Sequence, residues 1–182
     1  MVRKLKFNEG KLLKKTNFFI WEVDQKGRQN ALLRKYHVTK REHYALYNSL
    51  AAEVRQIADL IKELSPEDPF REKVTKEMLS RLYTAGVIAT ADAAERLNHV
   101  SGSSFARRRL PVVMKFIGMV DSVRTANQFV EQGHVRVGPK LVTDPAFMVT
   151  RPQEDTVTWT NASKIKQHVE TYNDTRDDFD LI

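Results

Sequence analysis

The sequence predicts an α+β protein: an N-terminal helical platform followed by a small module of two helices, a β-hairpin and one extra strand. Three observations carry this. Apolar residues recur at helical steps of three and four as far as Gly133, and from His134 they alternate, which is the period of a strand. Gly138-Pro139 interrupts that alternation between Val137 and Lys140, as a hairpin turn does. With 182 residues, 41% of them hydrophobic, the chain is long enough for one good core.

Residues 1 to 37 lack sustained periodicity apart from Leu12, Leu13 and the run Phe18 to Trp21, so they read as an arm with one short helix, anchored by aromatics. Thr39-Lys40-Arg41-Glu42 has the form of a capping box. Tyr47, Leu50, Val54, Ile57, Ile61 and Leu64 then share one face until Ser65-Pro66 ends the run, which predicts the longest helix of the protein. A second helix follows through Phe70, Val74, Met78 and Leu82 with Gly86 at its C-cap, and a shorter third through Ala93, Ala94 and Leu97. Ser101 to Ser104 caps a helix over 105–117 that carries Arg107, Arg108 and Arg109 in its first turns and closes at Gly118. Ser122 caps the next, with Ala126, Phe129 and Val130 inward and Gly133 at its end. In the hairpin, glycine supplies φ > 0 at the first position of a II′ turn and proline gives up an N–H the turn does not need. Residues 156–159 add the extra strand. The predicted divisions are an arm over 1–38, a helical region over 39–104, the module over 105–172 and an acidic tail over 173–182, expected to be mobile.

Charge is unevenly spread. The net charge of +7 resolves into +8 over residues 1–40, −2 over 41–80 and +4 over 81–120. The excess sits in Arg3, Lys4, Lys6, Lys11, Lys14 and Lys15, and in Arg107, Arg108 and Arg109. Both groups are candidate phosphate contacts, because nucleic acid is the commonest polyanion a basic patch meets. A lysine run alone equally fits a solvated face with a nuclear-import signal.

Several function classes are excluded. Without cysteine there are no disulfides, thiolate metal sites or cysteine nucleophiles, and an intracellular, reducing compartment is expected. No run approaches the roughly 18 apolar residues of a membrane helix, and the lysine-rich start lacks the apolar core of a secretory signal. His37, His43, His99, His134 and His168 lack zincin spacing, and no Gly-x-Ser-x-Gly or P-loop string occurs. Asp177, Asp178 and Asp180 read as a solvated terminal segment rather than a metal cluster. No enzyme, cofactor, metal or small-molecule substrate is therefore expected.

The string Arg109-Leu110, Gly118, Ser122, Ala126, Gln128, Phe129-Val130, Gly133-His134, Val137 and Lys140 resembles the alpha-L RNA-binding domain of the fourth small-subunit ribosomal protein family. It follows that family's pattern without a gap. Three departures are Pro111 in place of an aspartate, Val123 followed by Arg124 in place of a single arginine, and Gly138-Pro139 in place of Asn-Gly. The opening Met-Val-Arg-Lys-Leu-Lys-Phe, the stretches Leu110–Val113, Glu131–Pro139 and Val142–Phe147, and the ending Arg176–Asp180 are similar to the nucleolar branch of the same family, components of the U3 small nucleolar ribonucleoprotein. The resemblance implies a nuclear, nucleolar protein of the small-subunit processome. Its partners would be U3 RNA, the rRNA precursor, M-phase phosphoprotein ten and other processome proteins, and its role would be to promote pairing of the two RNAs for early processing of the small-subunit rRNA.

The site this implies is a surface that grips phosphates and 2′-hydroxyls of a structured junction, since the RNA major groove is too deep and narrow to read. Arg107, Arg108 and Arg109 cannot all face one surface if they are consecutive on a helix. Arg109 is the leading contact, with at least one neighbour expected to pair with an acid. Ser122 is expected foremost as a helix cap, with phosphate contact additional. Arg124 and Gln128 join it from the family pattern. His134 reads equally as a packed imidazole or a ligand, and Arg136 and Lys140 are expected to share a face of the hairpin. Two other classes stay open: a structural protein of the mature small ribosomal subunit, and a protein-interaction scaffold whose long helix docks a partner.

Overall fold

In the computed structural model, which describes residues 3–15 and 23–175, the chain separates into two units, 1–35 and 36–182. The first holds α1 (Phe7–Lys15) and α2 (Val23–Lys35). The short helix expected around Leu12 and Leu13 is α1, started by Glu9, whose carboxylate accepts from the Lys6 N–H at 2.9 Å and pairs with Arg3 at 2.8 Å. Helix α2 was not legible, because its residues carry no apolar stripe. The aromatic anchor, Phe18 to Trp21, lies outside the described residues, as do residues 176–182 of the tail.

The second unit begins with α3 (Arg41–Glu63), the longest helix among the described residues, and α4 (Pro69–Thr84). The expected capping box at Thr39 does not form. Lys40 is the N-cap and has no side-chain cap, so Thr39 falls one residue outside the position from which its hydroxyl could reach the first turn. The buried stripe of α3 is Tyr44, Tyr47, Ala51, Ala58 and Ile61 rather than one running through Ile57, which is 43% exposed. The two alanines let the neighbouring segments approach the helix closely, and those segments choose its inward face. Asp68 caps α4 through the Phe70 N–H at 2.9 Å, with Pro69 at the first helical position where a missing N–H costs nothing. Gly86, at φ +73°, turns the chain beyond it. A 3₁₀ turn over Ala94–His99 follows, shorter and tighter than the α-helix expected there.

The single helix expected over 105–117 is two. Helix α5 (Gly102–Ala106) starts with a capping box between Ser101 and Ser104, and α6 (Leu110–Ile117) starts afresh with Arg109 as its N-cap. Pro111 is the cause: inside a continuous helix it would lack the N–H owed to the Arg107 carbonyl and its ring would press on that carbonyl, whereas in a first turn neither matters. Gly118 closes α6 at φ +85°. Helix α7 (Val123–Glu131) is capped by Ser122, which accepts from the Arg124 N–H at 3.3 Å.

The hairpin forms as predicted, β1 (Val135–Val137) pairing with β2 (Lys140–Leu141) across Gly138-Pro139, with Gly138 at φ +56°. The short helix α8 (Arg151–Glu154), the extra strand β3 (Val157–Trp159) and α9 (Lys164–Tyr172) complete the unit. The sheet is antiparallel in the order β2-β1-β3. One of its faces lies on α6 and α7, burying Leu110, Val113, Met114, Ala126, Val130, Val135, Val137, Val142, Val149 and Val157 in one cluster. No helix among the described residues is long and apolar enough to cross a membrane.

Candidate nucleic-acid interface

The break between α5 and α6 sends the three arginines to three different environments. Arg109 was the leading candidate for RNA, and the structure overturns that: it is 2% exposed. Its Nη1 donates to the Tyr47 hydroxyl at 2.9 Å and lies 3.4 Å from Nδ1 of His43, both on α3. Its backbone is tied down as well, through a bridge to Met148 and the bond from the Leu110 N–H to the Phe147 carbonyl at 2.8 Å. A guanidinium sealed between α3 and the start of α6 cannot reach a phosphate.

Arg108 is half-buried. It donates to the Val149 carbonyl through Nε and Nη2 at 2.9 and 2.6 Å and forms an ion pair with Glu154 of α8. Its guanidinium lies against Gly86, where a Cβ would sit 2.5 Å from Cζ. Arg107 alone of the three is exposed, restrained only by contacts of 3.4 Å to the Ser103 carbonyl and the Ser104 hydroxyl. At that length such bonds are weak and easily exchanged for others.

On α7 the polar face remains open. Ser122, Arg124 and Gln128 are exposed, and Arg124 and Gln128 stand four residues apart, one above the other on the helix. In the sheet, Arg136 faces away from the core and donates through Nε to Thr158 of β3 at 3.0 Å. The expectation that Arg136 shares a face with Lys140 fails on register. Arg136 pairs with Leu141, and Lys140 with Val137, so directly opposed residues place Lys140 on the other face, exposed at the hairpin tip. His134 is packed: its ring meets Phe129 edge-on at 6.2 Å, and Nδ1 is 3.0 Å from the Ser163 hydroxyl.

In the N-terminal unit, Arg3, Lys4, Lys6, Lys11 and Lys14 are exposed, with Arg3 engaged by Glu9. The side chain of Lys15 lies outside the description. Among the described residues no group of His, Asp and Glu is arranged to hold a metal ion.

Sequence reasoning missed Arg151. Its Nη2 donates to the carbonyls of Ile88 and Ala89, each at 2.9 Å, and its guanidinium lies 4.2 Å above the ring of Tyr83. The signal was present in Thr150-Arg151-Pro152-Gln153, a capping box with proline in the first turn that starts α8. Four residues are too few for periodicity to register.

The alpha-L module, with two helices laid on a small sheet and a polar helix face left open, defines a protein of the ribosomal S4 class. Matching family models divide the chain accordingly: the ribosomal protein S4/S9 N-terminal domain matches residues 4–105 and the S4 domain residues 108–157. The chain is 66% identical over 182 residues to the Caenorhabditis elegans U3 small nucleolar ribonucleoprotein protein imp3, spanning the whole of both. Against the Mus musculus protein IMP3 the identity is 50%, over all of this chain and 99% of the relative. The small ribosomal subunit protein uS4 of Picrophilus torridus is 31% identical over 147 residues, 79% of each chain. The chain belongs to the IMP3 family of U3 small nucleolar ribonucleoprotein proteins, within the wider uS4 family.

Proposed function

We propose that this protein is an RNA-binding component of the U3 small nucleolar ribonucleoprotein and of the small-subunit processome, without catalytic activity of its own. It acts in the nucleolus, promoting pairing of U3 RNA with the rRNA precursor for early processing. The observation that carries this reading is the end-to-end likeness to relatives named as U3 ribonucleoprotein proteins, at 66% identity over the full chain. On the module the contacts are Arg107, Ser122, Arg124, Gln128, Arg136 and Lys140; on the arm they are Arg3, Lys4, Lys6, Lys11, Lys14 and Lys15. M-phase phosphoprotein ten is the protein partner this role calls for.

The mechanism needs no bond chemistry. Two RNA strands repel one another, and cations fixed on a folded surface lower that repulsion while they hold one strand in place. Annealing then speeds up. A strand-annealing assay with fragments of U3 RNA and precursor rRNA should show acceleration by the full chain; an unchanged rate removes the proposal. Permanent residence in the ribosome is the second reading, favoured by the 31% identity to a uS4 protein. Sedimentation of cell extract separates the two, because a processome factor is absent from mature small subunits.

A further inference from the structure

A cavity of about 270 Å³ lies where α5, α6 and α8 meet the segment 86–89 that follows α4. Its charge is lopsided: Arg107, Arg108 and Arg151 line it against one carboxylate, Glu154, which is already paired with Arg108. Among the described residues, Arg107 and Arg151 remain without an acid. Arg151 is held by backbone carbonyls, and its Nε is buried with no hydrogen-bond partner among the described residues. Arg107 is exposed and only loosely restrained. The rim is formed by Phe116, 87% exposed although it follows two buried neighbours on α6, Val113 and Met114.

An apolar ring at the mouth and the loosely held guanidinium of Arg107 lining the same cavity suit a ligand that is planar and aromatic at one end and anionic at the other. A nucleotide has that composition. A paired stem cannot enter a cavity of this size, but an unpaired nucleotide turned out of its stack can, and aromatic rings and arginines are what proteins use to hold one. We infer that this cavity receives one unstacked nucleotide of the bound RNA, with its base against Phe116 and its phosphate on Arg107. The inference rests on the RNA-binding reading above and sharpens it: the protein recognises a junction by the nucleotide that the junction extrudes.

The test uses the full chain and two stem-loop RNAs that differ in a single bulged fluorescent purine. Wild-type protein should bind the bulged RNA about tenfold more tightly than the paired one, the order of one base stacked on an aromatic side chain, and should change the purine's fluorescence. Phe116→Ala should abolish both the preference and the fluorescence change while leaving affinity for the paired RNA intact, and Phe116→Trp should restore them. Equal wild-type affinity for the two RNAs, or a preference that survives Phe116→Ala, overturns the inference and leaves the RNA-binding reading standing. Failure to bind either RNA overturns both. Binding of a phosphoserine peptide that requires Phe116, with no preference for the bulge, assigns the cavity to a protein partner and overturns the nucleotide.

Discussion

Arg109 carries a full charge into the interior of the second unit, where a phenol and an imidazole from α3 receive it. Burial of an ion is tolerated only when its donors are matched, and removing the match leaves the desolvation cost unopposed. Arg109→Glu puts a carboxylate where the surroundings were arranged for a donor. It should therefore destabilise the fold by about 3–5 kcal/mol, read as a lowered midpoint in urea unfolding. A midpoint at the wild-type value would mean that Arg109 is not held as described. With the midpoint lowered, loss of RNA binding in that variant reports unfolding rather than a missing phosphate contact, which makes Arg124, exposed on α7, the better probe of the surface.

At the scale of elements, the helix ends are set by glycines whose substitutions separate conformational cost from steric cost. Gly118 has φ +85° with open space around a hypothetical Cβ, so Gly118→Ala should cost about 1 kcal/mol, the backbone strain alone. Gly86→Ala should cost more. At φ +73° it adds a Cβ 2.5 Å from the Arg108 guanidinium, which must then leave its place beside Glu154. Equal unfolding midpoints for the two variants would contradict the packing of Arg108. The same elements show what was legible in the sequence. Gly118, Ser122 and the Gly138-Pro139 turn act through their own backbone chemistry, so the module's outline could be read directly. The environment of the arginines could not. Pro111 was visible, but its consequence, a break that turns consecutive residues in different directions, depends on which elements wait there to receive them. The inward face of α3 was legible at Tyr47 and Ile61 and missed at Ala51 and Ala58 for a related reason: alanines count little in a hydrophobic pattern yet permit the closest packing.

For the molecule as a whole, binding of a polyanion should follow counterion release. Each phosphate neutralised contributes roughly −0.7 to −0.9 to the slope of log affinity against log salt. Arg124→Ala should reduce the magnitude of that slope by about one such contact while the unfolding free energy stays within about 0.5 kcal/mol of wild type. An unchanged slope would remove Arg124 from the interface. The salt dependence belongs to the sum of scattered exposed cations, and no single patch of the sequence dictates it.

The family models part company between residues 105 and 108, but Tyr47 and His43 on one side of that seam hold the guanidinium of Arg109 on the other. The two halves are thus chemically interlocked. Separating the halves at the seam would uncover Arg109 and leave Tyr47 and His43 without their donor, and a chimaera grafting a cousin's module onto a platform that lacks those two side chains would bury the cation unmatched. A substitution at Arg109, Tyr47 or His43 is thereby felt in both halves, a restraint that treating them as separate domains would overlook.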